Sequence, residues 1–140
     1  MRIQFFFIET SIKLNERRRL KLFIDQLFKT NNNFYNQLSI IFCSDAYLLD
    51  INKKFLKHDY YTDIITFNLA DLNQPIEGEI YISIDRVRDN AGLHMVSVNR
   101  ELHRIIFHGV LHLCGFKDKT PKHKQAMTFE EDKCLNAYLS

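Results

Sequence analysis

The chain has 140 residues, 46% of them hydrophobic, with 12 Phe and 6 Tyr, which is enough apolar volume to build the core of one domain. A net charge of +2 excludes a strongly basic nucleic-acid-binding tail, and only four Gly and two Pro exclude low-complexity linkers between domains. No apolar run approaches the length that crosses a membrane, and the start MRIQFFFIET lacks the long apolar segment and small-residue cleavage site of a signal peptide.

In chain order, residues 3 to 8 (IQFFFI) read as a buried strand. From Asn15 to about Lys29, Leu20, Phe23, Ile24, Leu27 and Phe28 recur at helical spacing with charges between them. Thr30 to Asn33 is a loop, and residues 37 to 43 (QLSIIFC) are the next strand. Ser44 is placed to cap a helix running to about Phe55. Ile64 to Asn68 is β-branched and aromatic, hence a strand, and Asp71 to Gly78 carries the turn residues Asn73 and Pro75. Glu79 to Ile84 alternates Ile80, Ile82 and Ile84 with Glu79, Tyr81 and Ser83, the pattern of a strand with one buried face. Asp85 opens a short helix to about Leu93. Ser97 caps a longer helix to Cys114, and a last helix follows Pro121. The expected fold class is α+β (mixed α/β). Residues 1–140 form a single domain, with one mixed sheet of about four strands, helices packed on it, and an antiparallel pair between residues 68 and 79.

The helix that ends near Cys114 carries chemistry. His108 and His112 are four residues apart, so they share a helix face with Cβ atoms roughly 6 Å apart. Gly115 follows, the residue type best able to turn left-handed and stop a helix, and Asp118 comes just after it. Two ligands, a sharp turn and a third ligand make a three-ligand set with an open position, the form of a catalytic zinc site. His123, beyond Thr120-Pro121, is a rival third ligand. In zincin peptidases Glu follows the first histidine as general base; here that position is Gly109, so the zincin-like helix lacks a peptidase base. Cys43, Cys114 and Cys134 are odd in number and scattered, as expected of reduced thiols in a cytoplasmic protein, and Cys114 reads as a core residue. Two basic groups stand out: Arg17, Arg18, Arg19 and Lys21, and Lys117, Lys119, Lys122 and Lys124 around Asp118. The acidic run Glu130, Glu131 and Asp132 reads as the other side, or the far end, of the last helix.

At these residues the chain resembles the YbeY family of bacterial endoribonucleases. HGVLHLCGFKD (108–118) is similar to the family's His-Gly-x-Leu-His-Leu-x-Gly-Tyr-Asp-His, HDYYTDIITF (58–67) to its Asp-x-Pro-Thr-Asp-Val-Leu-Ser-Phe, and EGEIYIS (77–83) to its Gly-Asp-Ile-x-Ile-Ser strand. The resemblance covers roughly residues 40 to 135. It departs at position 118, where the family's third histidine is Asp, and at position 56, where Leu56, followed by Lys57, stands in place of an arginine. Carboxylate oxygen binds zinc at about the same distance as imidazole nitrogen, so the implied metal set is His108, His112 and Asp118, holding one zinc or another divalent ion per chain.

The resemblance implies a single-strand-specific, metal-dependent endoribonuclease. Its implied work is 16S rRNA 3′-end maturation and ribosome quality control in the cytoplasm, with single-stranded rRNA and the ribosome or its small subunit as partners and no DNA or membrane. The catalytic base is not identified: Asp63 and Glu79 are candidates as carboxylates on recognisable blocks, and water or a ribose 2′-OH can be the attacking group. Lys57 and His58 are candidates to face the cleft, and Tyr60, Tyr61 and Phe67 to stack on bases. Two rival readings remain: a non-catalytic ribosome-assembly or RNA-binding factor with a structural metal, and a zinc hydrolase of small substrates or peptides.

Overall fold

The computed structural model describes residues 2–140. Strand β1 (Ile3–Ile8) leads into helix α1 (Arg17–Thr30), β2 (Tyr35–Cys43) and α2 (Asp45–Ile51), which continues as a π-helical turn, Asn52–Leu56. Then come β3 (Ile64–Asn68), β4 (Ile76–Ser83), α3 (Ile84–Leu93), α4 (Val98–Leu113) and α5 (Pro121–Leu139). The sheet has four strands in the order β1-β2-β4-β3. β1, β2 and β4 are parallel and β3 is antiparallel to β4, so the expected mixed sheet and its hairpin are both present.

Several boundaries differ from the sequence expectation, among them the start of β2, which is Tyr35 rather than residue 37. Helix α1 starts at Arg17 because Asn15 is not helical and Glu16 takes a left-handed conformation, φ 51°. Strand β4 begins at Ile76, inside the expected turn, because Ile76 pairs with Tyr35 of the distant β2. Ile84 is the first residue of α3 rather than the last of the strand, since the Ser83 hydroxyl accepts the Arg86 N–H and caps the helix there.

One face of the sheet carries the main core. Ile40 and Phe42 of β2 and Ile80 and Ile82 of β4 are fully buried against Leu20, Ile24 and Phe28 of α1 and Leu102, Ile106, Phe107 and Val110 of α4. On the other face α2 seals a smaller cluster of Cys43, Leu48, Ile51 and Ile65. Helix α4 comes very close to the sheet. A Cβ on Gly109 would meet Ile80 Cγ2 at 2.9 Å and Ile64 Cδ1 at 3.0 Å. The absence of a side chain at 109 therefore lets the histidine-bearing helix settle onto β3 and β4.

Both ends of α4 are closed by local chemistry. The Ser97 hydroxyl accepts the Arg100 N–H at 3.0 Å. At the other end Gly115 has φ +103°, its N–H donates to His112 O, and Phe116 N–H donates to Leu111 O, which is a Schellman closure. Replacing Ser97 by alanine is expected to lower stability by about 1 kcal/mol, read as a fall in Tm with the fold unchanged. A Tm equal to wild type would show that the cap contributes nothing.

Candidate metal centre

His108 and His112 lie in the last two turns of α4 with ring centroids 5.0 Å apart, and the Schellman turn brings Asp118 back to them. Asp118 Oδ2 is 3.4 Å from His108 Nε2 and 3.3 Å from His112 Nε2. The three ligand-type atoms lie within 4.8 Å of one another. Donors about 2.0–2.1 Å from a tetrahedral zinc sit roughly 3.4 Å apart, so both histidine–aspartate separations match such an ion. His123 stands in the exposed first turn of α5, outside this group, with its backbone N–H on Thr120 Oγ1. Burial pushes the Cys114 thiol up to about 12, and this half-buried side chain is not among the ligand-type atoms gathered around Asp118.

Behind His108 lies a buried charge array that sequence reasoning missed. Glu131 Oε2 is 2.5 Å from His108 Nδ1. That contact keeps the proton on Nδ1 and leaves the Nε2 lone pair for a cation, the arrangement typical of metal-bound histidine. Glu131 Oε1 accepts from Arg104 Nη1 at 3.1 Å. Arg104 in turn grips Glu101 with two parallel bonds, Nε to Oε1 at 2.8 Å and Nη2 to Oε2 at 2.7 Å. Glu101 and Glu131 are 1% and 4% exposed, so both carboxylates depend on these partners. The two-pronged bond to Glu101 raises the Arg104 pKa above its already high value. Glu131 thus corrects its sequence reading: it is neither the far side nor the end of α5 but the residue that α5 presents to α4. Arg104 had a local signal, its i,i+4 spacing from His108 and i,i+3 spacing from Glu101.

A cavity of about 330 Å³ opens on the histidines, lined by Thr62, Asp63, Thr66, Arg104, His108, His112 and Asp118 among others. A wider groove of about 560 Å³ adjoins it and shares His112 and Asp118, with Leu56, His58, Tyr60 and Lys119 on its walls. His58 and Tyr60 stack at 5.1 Å with their planes 19° apart. Of the other candidates, Asp63 lines the first cavity and accepts a long bond from Asn90 Nδ2 at 3.4 Å. Glu79 is bonded by Tyr81 Oη and lines neither cavity. Lys57, at the left-handed end of the π-helical turn, also lines neither. Tyr61 is exposed beneath Arg86, and Phe67 packs edge-on against Phe55 and Tyr81. Lys119 borders the groove, whereas Lys117, Lys122 and Lys124 are exposed residues that line neither cavity. The Arg17–Lys21 group is used differently: Arg17 lies over Phe7, Arg19 over Tyr138 and Lys21 over Phe5. His103, also on α4, points into the core and stacks on Tyr138; burial lowers its pKa, so it stays neutral. Among the described residues no helix is long and apolar enough to cross a membrane.

Comparison with known proteins agrees with this picture. The family described as Endoribonuclease YbeY matches residues 7–139. A Cytophaga hutchinsonii protein named Endoribonuclease YbeY is 48% identical over 134 residues, covering 96% of this chain and 94% of its own length. A Christiangramia forsetii protein of the same name is 40% identical over 127 residues, covering 91% and 88%. A solution structure of a Thermotoga maritima protein shares the fold with TM-score 0.58 at 24% identity, covering 94% of this chain and 86% of that one. The family match spans β2, β3 and β4, the helix with its two histidines and the α5 segment that backs them, and the chain belongs to the YbeY endoribonuclease family.

Proposed function

We propose that this chain is a divalent-metal endoribonuclease, zinc being the ion its donors suit, held by His108, His112 and Asp118 within one domain of residues 1–140. Its proposed substrate is single-stranded rRNA on the ribosome or small subunit in the cytoplasm, and its proposed work is 16S rRNA 3′-end maturation and ribosome quality control. The observation that carries the reading is the trio at the floor of an open cavity, with Glu131 aligning His108 from behind. Relatives at up to 48% identity over most of the chain bear the name endoribonuclease.

When bound, the ion supplies Lewis acidity at a phosphoryl oxygen and acidifies water. The chain's own residues do the rest. Glu131 holds the proton on His108 Nδ1 and fixes the ring. Asp118 adds a negative ligand that partly offsets the cation's charge. Asp63 is the other carboxylate lining the cavity, so it is the proposed base for the attacking O–H, whether of water or of a ribose 2′-OH. The stacked His58–Tyr60 pair gives the adjoining groove a flat face on which an unpaired base can lie, which favours single strands.

A structural metal would have a closed four-ligand shell. The described residues bring three donors together at an open cavity, which favours catalysis over the assembly-factor reading. The test is metal content and cleavage of a single-stranded RNA, wild type beside Asp118→Ala. One zinc per chain and cleavage in the wild type, with both lost or sharply reduced in the variant, is the expected result. Full zinc in the variant would move the third ligand away from Asp118, and absence of zinc from both proteins would defeat the metal reading.

A further inference from the structure

Arg104 does more than join two carboxylates. It is the one lysine or arginine among the residues lining the cavity that opens on the histidines. The other charged side chains there are Asp63 and Asp118. A cavity whose charged walls were only carboxylates would repel a phosphodiester, so a phosphate reaching the trio needs a cation from the protein as well as from the metal.

Arg104 is placed for this. It sits four residues before His108 and eight before His112, on the same row of α4, about 6 Å along the axis from His108. Its guanidinium has five N–H donors. Glu101 and Glu131 take three of them, one each from Nε, Nη1 and Nη2. The side chain is still 26% exposed, although its two partners are 2% and 6% exposed. The buried carboxylates therefore hold the guanidinium rigid through all three of its nitrogens, while each Nη keeps a further donor. A guanidinium fixed in that way loses little entropy on meeting a planar pair of oxygens, unlike a free surface lysine.

We propose that Arg104 binds a non-bridging oxygen of the RNA phosphate at the cleavage site, with Glu101 and Glu131 holding it in place for that contact. The proposal rests on the endoribonuclease reading for its substrate, but phosphate binding can be tested without RNA. It also separates two duties of the array: Glu131 orients His108, whereas Arg104 meets the substrate.

The experiment uses the zinc-loaded full chain as wild type, Arg104→Lys, and the double variant Glu101→Gln/Arg104→Gln, in which no buried carboxylate at 101 is left unpaired. Three quantities are read: zinc affinity by competition with a chromophoric chelator, inorganic phosphate affinity by calorimetry, and kcat and KM on a single-stranded RNA. The expected result is a loss of about tenfold or more in phosphate affinity in both variants. A fall of roughly 100-fold in kcat/KM should accompany it, with zinc affinity within about threefold of wild type. In the wild type, the Arg104 side-chain N–H resonances should shift as phosphate is added, which reads the contact even if a variant does not fold.

Unchanged phosphate affinity in a folded variant, or resonances that do not move, would overturn the proposal. So would activity recovered simply by raising zinc, since Arg104 would then act only through Glu131. Arg104-dependent phosphate binding in a wild type that cleaves no RNA would uphold the phosphate contact while sinking the endoribonuclease reading.

Discussion

Replacing His108 and His112 together by alanine is expected to abolish zinc binding and to lower RNA cleavage at least roughly 10³-fold. The size follows from the several kcal/mol that a bound cation contributes to charge stabilisation at phosphorus, each 1.36 kcal/mol being a factor of ten. The pair is the right target because the two rings face one point from a single rigid helix, and Asp118 alone cannot hold a dication against water. The fold should survive. Both side chains are only partly buried, 13% and 30% exposed, and Glu131 keeps its bond to Arg104 when the His108 ring is gone. The measurement is cleavage of a labelled single-stranded RNA alongside zinc content and circular dichroism. Wild-type cleavage by a folded, zinc-free double variant, in a preparation free of other nucleases, would sink the metal mechanism.

Changing Glu131 has the next largest expected effect, and it acts on metal affinity before it acts on rate. In Glu131→Gln the amide can accept at only one oxygen. It can take the N–H of His108 or that of Arg104, but its NH2 group then faces the other donor. Loss of this kind of outer partner costs about 10- to 100-fold in metal affinity. Glu131→Ala should go further and lower stability by about 3 kcal/mol, because it removes a buried carboxylate from between two donors. Chelator competition reads the first effect and thermal unfolding the second. Zinc affinity within threefold of wild type in a folded Glu131→Gln protein would remove Glu131 from the site's function. Set against Arg104→Lys, in which zinc affinity should hold and phosphate affinity fall, the pair of variants assigns each end of the array its own duty.

Much of the site was legible locally, because its parts are close in sequence. The four-residue spacing of His108 and His112, the glycine that ends the helix and the carboxylate three residues beyond it are all short-range facts. The caps at Ser44 and Ser97 were legible for the same reason: each is one hydroxyl accepting an N–H three residues on, and the structure adds Thr120, which caps α5 in the same way just before Pro121. The Gly109 position was legible only in part. The sequence showed that a peptidase base is absent there, but the contact distance to Ile80 shows what a glycine allows, namely close packing of helix on strand.

Glu130, Glu131 and Asp132 show where local reading stops. Successive helical residues point about 100° apart, so one of three adjacent acids can face inward while its neighbours face water. Nothing in the run itself says which. The docking of α5 on α4, driven by buried Met127, Cys134, Leu135 and Tyr138, turns Glu131 inward to 4% exposure and leaves Asp132 exposed.

The amino-acid sequence by itself determined the order of the elements, the caps at Ser44 and Ser97, and the His108–His112 pair with Asp118 as a candidate third ligand, since each depends on interactions within a few residues. Only the tertiary structure decided which carboxylate backs His108, that Arg104 rather than Lys57 lines the histidine cavity, and that β4 starts at Ile76 beside Tyr35. Those outcomes depend on contacts between segments 23 to 41 residues apart, where burial of apolar faces sets the geometry and the polar groups must find their partners within it.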